Sequence, residues 1–359
     1  MRIAFVHEYL NQFGGAERTL AVLAEMFPVA PIYTLLYDEK ATRGLFKGRV
    51  VNTSFLQKFP WAISHHEWYP LLMPLAIEQF DFSAFDVVIS VSASFTKGII
   101  TKPTARHICY CLTPPRFLWD NSQKFGKDFG FPPLIRFASQ PLISYLRMWD
   151  HSAADRVDEF WRISDFVGKR IQKYYRQSSV LIYPPVDTDK FPIATEPAQD
   201  YFLMVGRLVS YKKFDVVIKA FNELGLSLKI IGTGPETERL KRLAHANIEF
   251  LGQVNDDELG RYYREAKALI FPQEEDFGIV PLEAMASGRP VIAYRGGGAE
   301  ETIIEGETGL FFNAQTPEAI IEAVKRFDDK KFNSILCRNQ AEKFSTDVFR
   351  KNIFKYLNI

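Results

Sequence analysis

Cysteine is scarce in this chain of 359 residues: Cys109, Cys111 and Cys337 are too few and too unevenly spaced for a zinc site or a disulfide framework. Cys109 and Cys111 stand two apart, on one face of a strand, and read as small buried side chains. No apolar run approaches the ~20 residues of a membrane-spanning helix. The start Met1-Arg2-Ile3 carries no charged-then-apolar leader, so a cytoplasmic protein is expected. Neither sign of charge is in excess, with 44 Lys and Arg against 43 Asp and Glu, which excludes a global pull toward nucleic acid. Histidine is rare, and the adjacent His65-His66 cannot both point to one site on a regular element. They read as surface or packing residues, and no metal site is expected. What remains is a soluble globular composition, long enough for two domains.

Short apolar runs alternate with helical patterns along most of the chain, which predicts an α/β protein with parallel, doubly wound sheets. Strands are expected over residues 3–7, 86–92, 108–112, 156–163 and 180–183 in the first half. Those of the second half fall over 201–205, 228–231, 248–251, 268–271, 291–294 and 310–312. The first strand leads through Gly14-Gly15 into a helical pattern, where backbone amides can approach an anion. Residues 55–80 are rich in aromatics and broken by Pro60, Pro70 and Pro74. Residues 97–149 set eight basic side chains, from Lys97 to Arg147, against Asp120 and Asp128, with aromatics between them. Three readings stay open there: a folded core with solvated charges, a face for an anionic membrane or lipid-phosphate acceptor, and a nucleic-acid face. Membrane ranks above nucleic acid, for which no motif is present. Asp187-Thr188-Asp189 sits at a proline-rich junction and is not read as a metal site.

The chain centres on Glu275-Asp276-Phe277-Gly278-Ile279-Val280-Pro281-Leu282-Glu283. Glu275 is expected on a loop at the carboxyl end of a strand, and Glu283 near the start of the next helix, with Gly288 as its stop. Open α/β sheets bind ligands at that edge. Two carboxylates there can accept hydrogen bonds from hydroxyls, as on a sugar and a ribose, and the amides of Phe277, Gly278 and Ile279 suit an anion. Arg207 and Lys212, on the loop after an earlier strand, offer a fork and a point charge suited to a diphosphate.

The string from Glu275 to Glu283, followed by Ala284-Met285-Ala286-Ser287-Gly288-Arg289-Pro290-Val291, resembles the E-x7-E signature of family 4 glycosyltransferases, with Asp276 where glycine is usual. Val205-Gly206-Arg207-Leu208 with Lys212 resembles that family's diphosphate clamp, with Lys213 where glycine is usual. Gly14-Gly15, the junction after Pro184, Gly232-Thr233-Gly234 and Gly296-Gly297-Gly298 extend the likeness. It is dense over 201–312 and sparser before.

The resemblance implies the glycosyltransferase-B fold, two Rossmann-like domains facing across a cleft. Residues 1–183 would bind the acceptor, 184–200 form a hinge and 201–344 bind the sugar nucleotide. A C-terminal helix within 345–359 would pack back on the first domain. It implies a retaining transfer without a metal or other cofactor, with Glu275, Arg207 and Lys212 as the catalytic set. The donor would be held by these three with Gly206, Gly232, Gly234, Phe277, Gly278, Ile279 and Glu283, the last on the ribose. Gly14, Gly15, Leu112 and Arg116 would lie on the acceptor side. Gly14-Gly15-Ala16-Glu17-Arg18 and Pro114-Pro115-Arg116-Phe117-Leu118-Trp119-Asp120 are similar to bacterial and archaeal polysaccharide mannosyltransferases, which favours GDP-mannose over a UDP-sugar. The partners implied are a sugar nucleotide and a glycan or lipid-linked acceptor, with no nucleic acid. A peripheral place on the inner face of the membrane stays open.

One departure stands out: close relatives commonly carry His where this chain has Leu112. Leucine can neither bond the sugar nor take a proton. His107 and His151 are the substitutes to test. A sugar-nucleotide epimerase and a catalytically silent sugar-nucleotide-binding protein are the rival readings.

Overall fold

A computed structural model describes residues 1–120 and 139–359, and the chain divides into two compact units, Met1–Tyr183 and Pro184–Ile359. In the first unit the strands are β1 (Ile3–Leu10), β2 (Ile32–Tyr37), β3 (Val51–Thr53), β4 (Val87–Ser92), β5 (Arg106–Cys111), β6 (Glu159–Arg162) and β7 (Ser179–Leu181). They form one parallel sheet in the order β3-β2-β1-β4-β5-β6-β7. The central β1 and β4 are buried almost throughout, which is why they read as continuous apolar runs rather than alternating ones. Val6, Leu35, Ile77, Val88 and Ile99 belong to a core cluster that the helix Met73–Glu78 helps to close. Each such side chain contributes about 1.5–3 kcal/mol by leaving water.

The second unit holds β8 (Phe202–Val205), β9 (Leu228–Ile231), β10 (Ile248–Gly252), β11 (Leu269–Phe271), β12 (Val291–Tyr294) and β13 (Gly309–Phe312). They lie in the order β10-β9-β8-β11-β12-β13, all parallel. Its core cluster packs Val217, Ile218 and Phe221 of the helix Phe214–Leu224 with Ile230, Ile270 and Ile292 of the sheet and Ile320 and Val324 of the helix Pro317–Arg326. In both sheets the order reverses beside the first strand, between β1 and β4 and between β8 and β11. A crevice opens outside the carboxyl ends of the strands at such a reversal.

Several expectations need correction. The strand expected over 156–163 begins at Glu159, because Arg156 closes a turn after the helix Gln140–Ala154. Its amide bonds back to the Ala153 carbonyl at 3.2 Å, and its guanidinium takes Glu78 and the Gly98 carbonyl. The aromatic stretch 55–80 is two single turns, Phe55–Lys58 and His66–Trp68, before the short helix Met73–Glu78. His65 packs tilted against Trp68 and His66 against Tyr9, so the two histidines serve different neighbours.

Within 97–149, residues 121–138 lie outside the described residues, and Lys124, Lys127 and Arg136 with them. Of the rest, Lys97 is not a surface cation: it is buried against Asp150 and donates to the Ser94 carbonyl. Arg106 is paired with Glu159, and Arg147 donates to the Leu118 carbonyl. For these three the folded-core reading holds.

The junction after Pro184 is tied to the second unit. Val186 bonds to the Phe344 carbonyl at 2.9 Å and accepts from Thr346, Ala194 bonds to Ser287 and Gln199 to Glu265. Arg338 donates to the carbonyls of Thr188, Phe191 and Ala286. Thr346–Leu357 is the last helix, with Phe349, Ile353 and Leu357 buried at a four-residue spacing.

Candidate sugar-nucleotide site

Four loops follow β8, β9, β11 and β12 at the carboxyl edge of the second sheet, and the glycines among them let these loops touch. After β8 the chain passes Gly206 and Arg207, makes a single turn at Ser210–Lys212, and enters the helix Phe214–Leu224. Gly232, after β9, has φ +136°, and a Cβ there would stand 1.9 Å from the Gly206 carbonyl oxygen. A Cβ on Gly234 would stand 2.3 Å from the Leu208 carbonyl oxygen, so the two loops pack backbone to backbone. After β11, the Glu275 carbonyl accepts from the Gly298 amide at 2.9 Å. A Cβ on Gly297 would come within 2.2 Å of that same oxygen.

Lys213, where the resembled family has glycine, is left-handed at φ +57° and ψ 30°. A side chain costs about 1–2 kcal/mol in that region, against the 0.5–1 kcal/mol of chain entropy that glycine would add. Lys213→Gly is therefore expected to stabilise the second unit by about 0.5–1 kcal/mol in chemical denaturation. A loss of stability would show that the Lys213 side chain itself holds the loop.

The loops bring the clamp and the first glutamate together. Lys212 Nζ lies 3.0 Å from Glu275 Oε1, with the two side chains 14% and 22% exposed. Gln273 Nε2 donates to the same Oε1 at 3.1 Å. Glu275 Oε2 makes no hydrogen bond among the described residues. Burial pulls the Lys212 pKa down, but the Glu275 charge and hydrogen bond, with Tyr211, lift it above the ordinary lysine value. The ammonium is therefore charged at neutral pH. Arg207 is exposed, and its guanidinium forms no hydrogen bond or ion pair among the described residues. Lys212 is thus pre-set and Arg207 is free to reach a ligand.

Gly278 caps the helix Ile279–Ala286 at φ +90°, and Ile279 opens it half-buried. Phe277 is buried with its ring on Phe344. Glu283 is the fifth residue of that helix, just past its first turn, and it is buried at 4% exposure. Its Oε2 accepts from the Tyr263 hydroxyl at 2.9 Å.

In the first unit, Gly14 caps the helix Gly15–Met26 without a side-chain bond. Behind it His7 Nε2 lies 3.4 Å from Glu17 Oε1, both buried. Burial lowers the imidazole pKa, but Glu17 outweighs it and the value ends above the usual one. Burial likewise raises the Glu17 carboxyl, and His7 and Gln12 bring it below the usual range. The neighbouring Glu8 is buried and accepts from the Ser92 and Thr96 hydroxyls and the amides of Ala93, Ser94 and Thr96. It ties the loop after β4 to β1 at the strand reversal.

Leu112 is half-buried just past β5, and Arg116 is half-buried beyond it. His107 is wholly buried, with Nε2 2.9 Å from the Ser90 hydroxyl, Nδ1 facing the Arg156 carbonyl, and its pKa pulled down by burial to about 4. His151 is exposed on the helix Gln140–Ala154.

Sequence reasoning missed Gln273, Tyr263, Glu8 and Glu17 as partners. Gln273 had a signal, since a residue two before Glu275 on an extended loop shares its side. Tyr263 and Glu8 had none, because their partners come from other elements.

Residues 185–344 match the family model described as glycosyl transferases group 1. An uncharacterised glycosyltransferase of Methanocaldococcus jannaschii, MJ1178, is 28% identical over 202 residues, 54% of this chain and 57% of that protein. A Mycobacterium tuberculosis GDP-mannose-dependent alpha-(1-6)-phosphatidylinositol monomannoside mannosyltransferase is 31% identical over 201 residues, 47% of this chain and 52% of that one. The chain thus spans about half the length of the curated relatives it matches. The crystal structure of Anabaena Alr3699/HepE in complex with UDP aligns over 100% of both chains at a TM-score of 0.73 and 14% identity. The fold is therefore the glycosyltransferase-B fold, and the unit that carries the Lys212–Glu275 pair is similar to the group 1 glycosyl transferases.

Proposed function

We propose that the chain is a retaining, metal-independent glycosyltransferase of family 4, moving a hexose from a sugar nucleotide to a glycan or lipid-linked acceptor in surface-polysaccharide synthesis. The observation that carries this reading is the Lys212–Glu275 contact at the β8/β11 reversal, where a cation for a diphosphate and an acceptor for sugar hydroxyls stand 3.0 Å apart. Arg207 and Lys212 hold the diphosphate and stabilise the charge that builds on it as the sugar bond breaks. Glu275 orients the sugar, and Glu283, fixed by Tyr263, takes the ribose hydroxyls. With Leu112 unable to accept a proton and His107 buried, the departing phosphate oxygen takes the acceptor's proton.

The printed name of the mycobacterial relative supports GDP-mannose as donor, with a UDP-sugar as the alternative. The first unit takes the acceptor and residues 201–344 the donor. The hinge lies within 184–200, with its freedom ahead of Val186. Among the described residues no helix is long and apolar enough to cross a membrane. A cytoplasmic protein with peripheral membrane contact belongs to the same proposal. Its support is the exposed Trp61, Trp68, Leu71 and Leu75, since tryptophan favours the bilayer interface.

Calorimetry with GDP and UDP tests the clamp. Arg207→Ala is expected to weaken binding by about 1.5–3 kcal/mol, as for a hydrogen bond to a charged group. Unchanged affinity would remove Arg207 from the site.

A further inference from the structure

We infer that Glu275 is also the counter-ion of Lys212, and that its charge makes the site favour the sugar nucleotide over the bare nucleoside diphosphate left after transfer. This rests on the donor-site reading above. The ammonium and carboxylate are 3.0 Å apart and mostly out of water, where a charge pair couples far more strongly than on the surface. Each group has a further neighbour. A Cβ on Gly206 would stand 3.2 Å from Lys212 Nζ, so the ammonium lies against the loop backbone. Gln273 Nε2 donates to the same Oε1 at 3.1 Å and fixes that oxygen beside the ammonium. The pair is thus close to neutral before any nucleotide arrives.

A nucleoside diphosphate that reaches Lys212 also meets the Glu275 carboxylate just beyond it, and like charges oppose each other there. A sugar nucleotide offsets that repulsion, because its sugar hydroxyls donate to Glu275. The product has lost the sugar and keeps the repulsion. One carboxylate therefore orients the sugar and speeds departure of the leaving group.

Glu275→Gln keeps the shape and an acceptor oxygen while removing the charge. Calorimetry with GDP, UDP, GDP-mannose and UDP-glucose should show the bound nucleoside diphosphate held about tenfold more tightly by the variant. The ratio of sugar-nucleotide to nucleoside-diphosphate affinity should fall. Glu275→Ser, which also removes the charge, should shift the bare diphosphate in the same direction and covers a folding failure of the first variant. Wild-type binding with unchanged or weakened diphosphate affinity in the folded variants overturns the inference alone. Wild-type protein that binds none of the four nucleotides overturns the donor-site reading and the inference with it.

Discussion

Glu275→Ala is expected to cut turnover about a hundredfold, the scale of loss when a reacting group is held slightly out of place. The carboxylate stands at the carboxyl edge of the second sheet, Oε1 engaged by Lys212 and Gln273 and Oε2 without a hydrogen bond among the described residues. Alanine removes the group that sets the sugar's orientation and leaves Lys212 without its counter-charge. The two histidines provide the contrast. His107 sits in the first sheet, wholly buried with both ring nitrogens facing partners, so a substrate does not reach it. His107→Ala should cost stability, by emptying a buried site, and little turnover per folded molecule. His151→Ala should change neither. Nucleoside-diphosphate release by the four proteins checks this, and a folded but inactive His151→Ala would move the base to that residue.

Asp150→Ala is expected to destabilise the first unit by about 3–5 kcal/mol, because it leaves a buried ammonium without its partner. Lys97 and Asp150 are each 1% exposed, and Lys97 lies over the Tyr175 ring. Asp150 Oδ2 also accepts from Trp119 Nε1 at 2.8 Å and the Tyr175 hydroxyl at 2.9 Å, so alanine takes an acceptor from three donors, of which Lys97 keeps the Ser94 carbonyl. Asp150→Asn keeps an acceptor and should cost less. Replacing both members, Lys97→Met with Asp150→Leu, should also cost less than Asp150→Ala, since no buried charge is then left alone. Denaturation midpoints order the variants, and a loss under about 1 kcal/mol for Asp150→Ala would show that water reaches Lys97.

Apart from β2 and β3, for which no strand was expected, the two sheets were legible because their central strands are buried on both faces and stand in the chain as apolar runs between helical patterns. The loop after β11 was legible because Glu275, Gly278 and Pro281 each have local reasons to be where they are. Long-range pairing was not. Lys97 looks like one of eight surface cations until Asp150, from a distant helix, is brought against it. The Lys212–Glu275 contact depends on β8 and β11 lying side by side, and strand order is a property of the whole sheet. Glu283 sits one turn into its helix because the helix starts at Ile279, two residues before Pro281. Proline fits either of the first helical positions, so it marks a start only to within a residue or two.

The most direct measurement is nucleoside-diphosphate release from GDP-mannose and UDP-sugars, with and without a panel of glycan and lipid-linked acceptors. The account predicts release that requires an acceptor and falls in Arg207→Ala and Glu275→Ala. Conversion of the sugar nucleotide with no acceptor present, or a bound donor that never releases its nucleoside diphosphate with any acceptor, would contradict it.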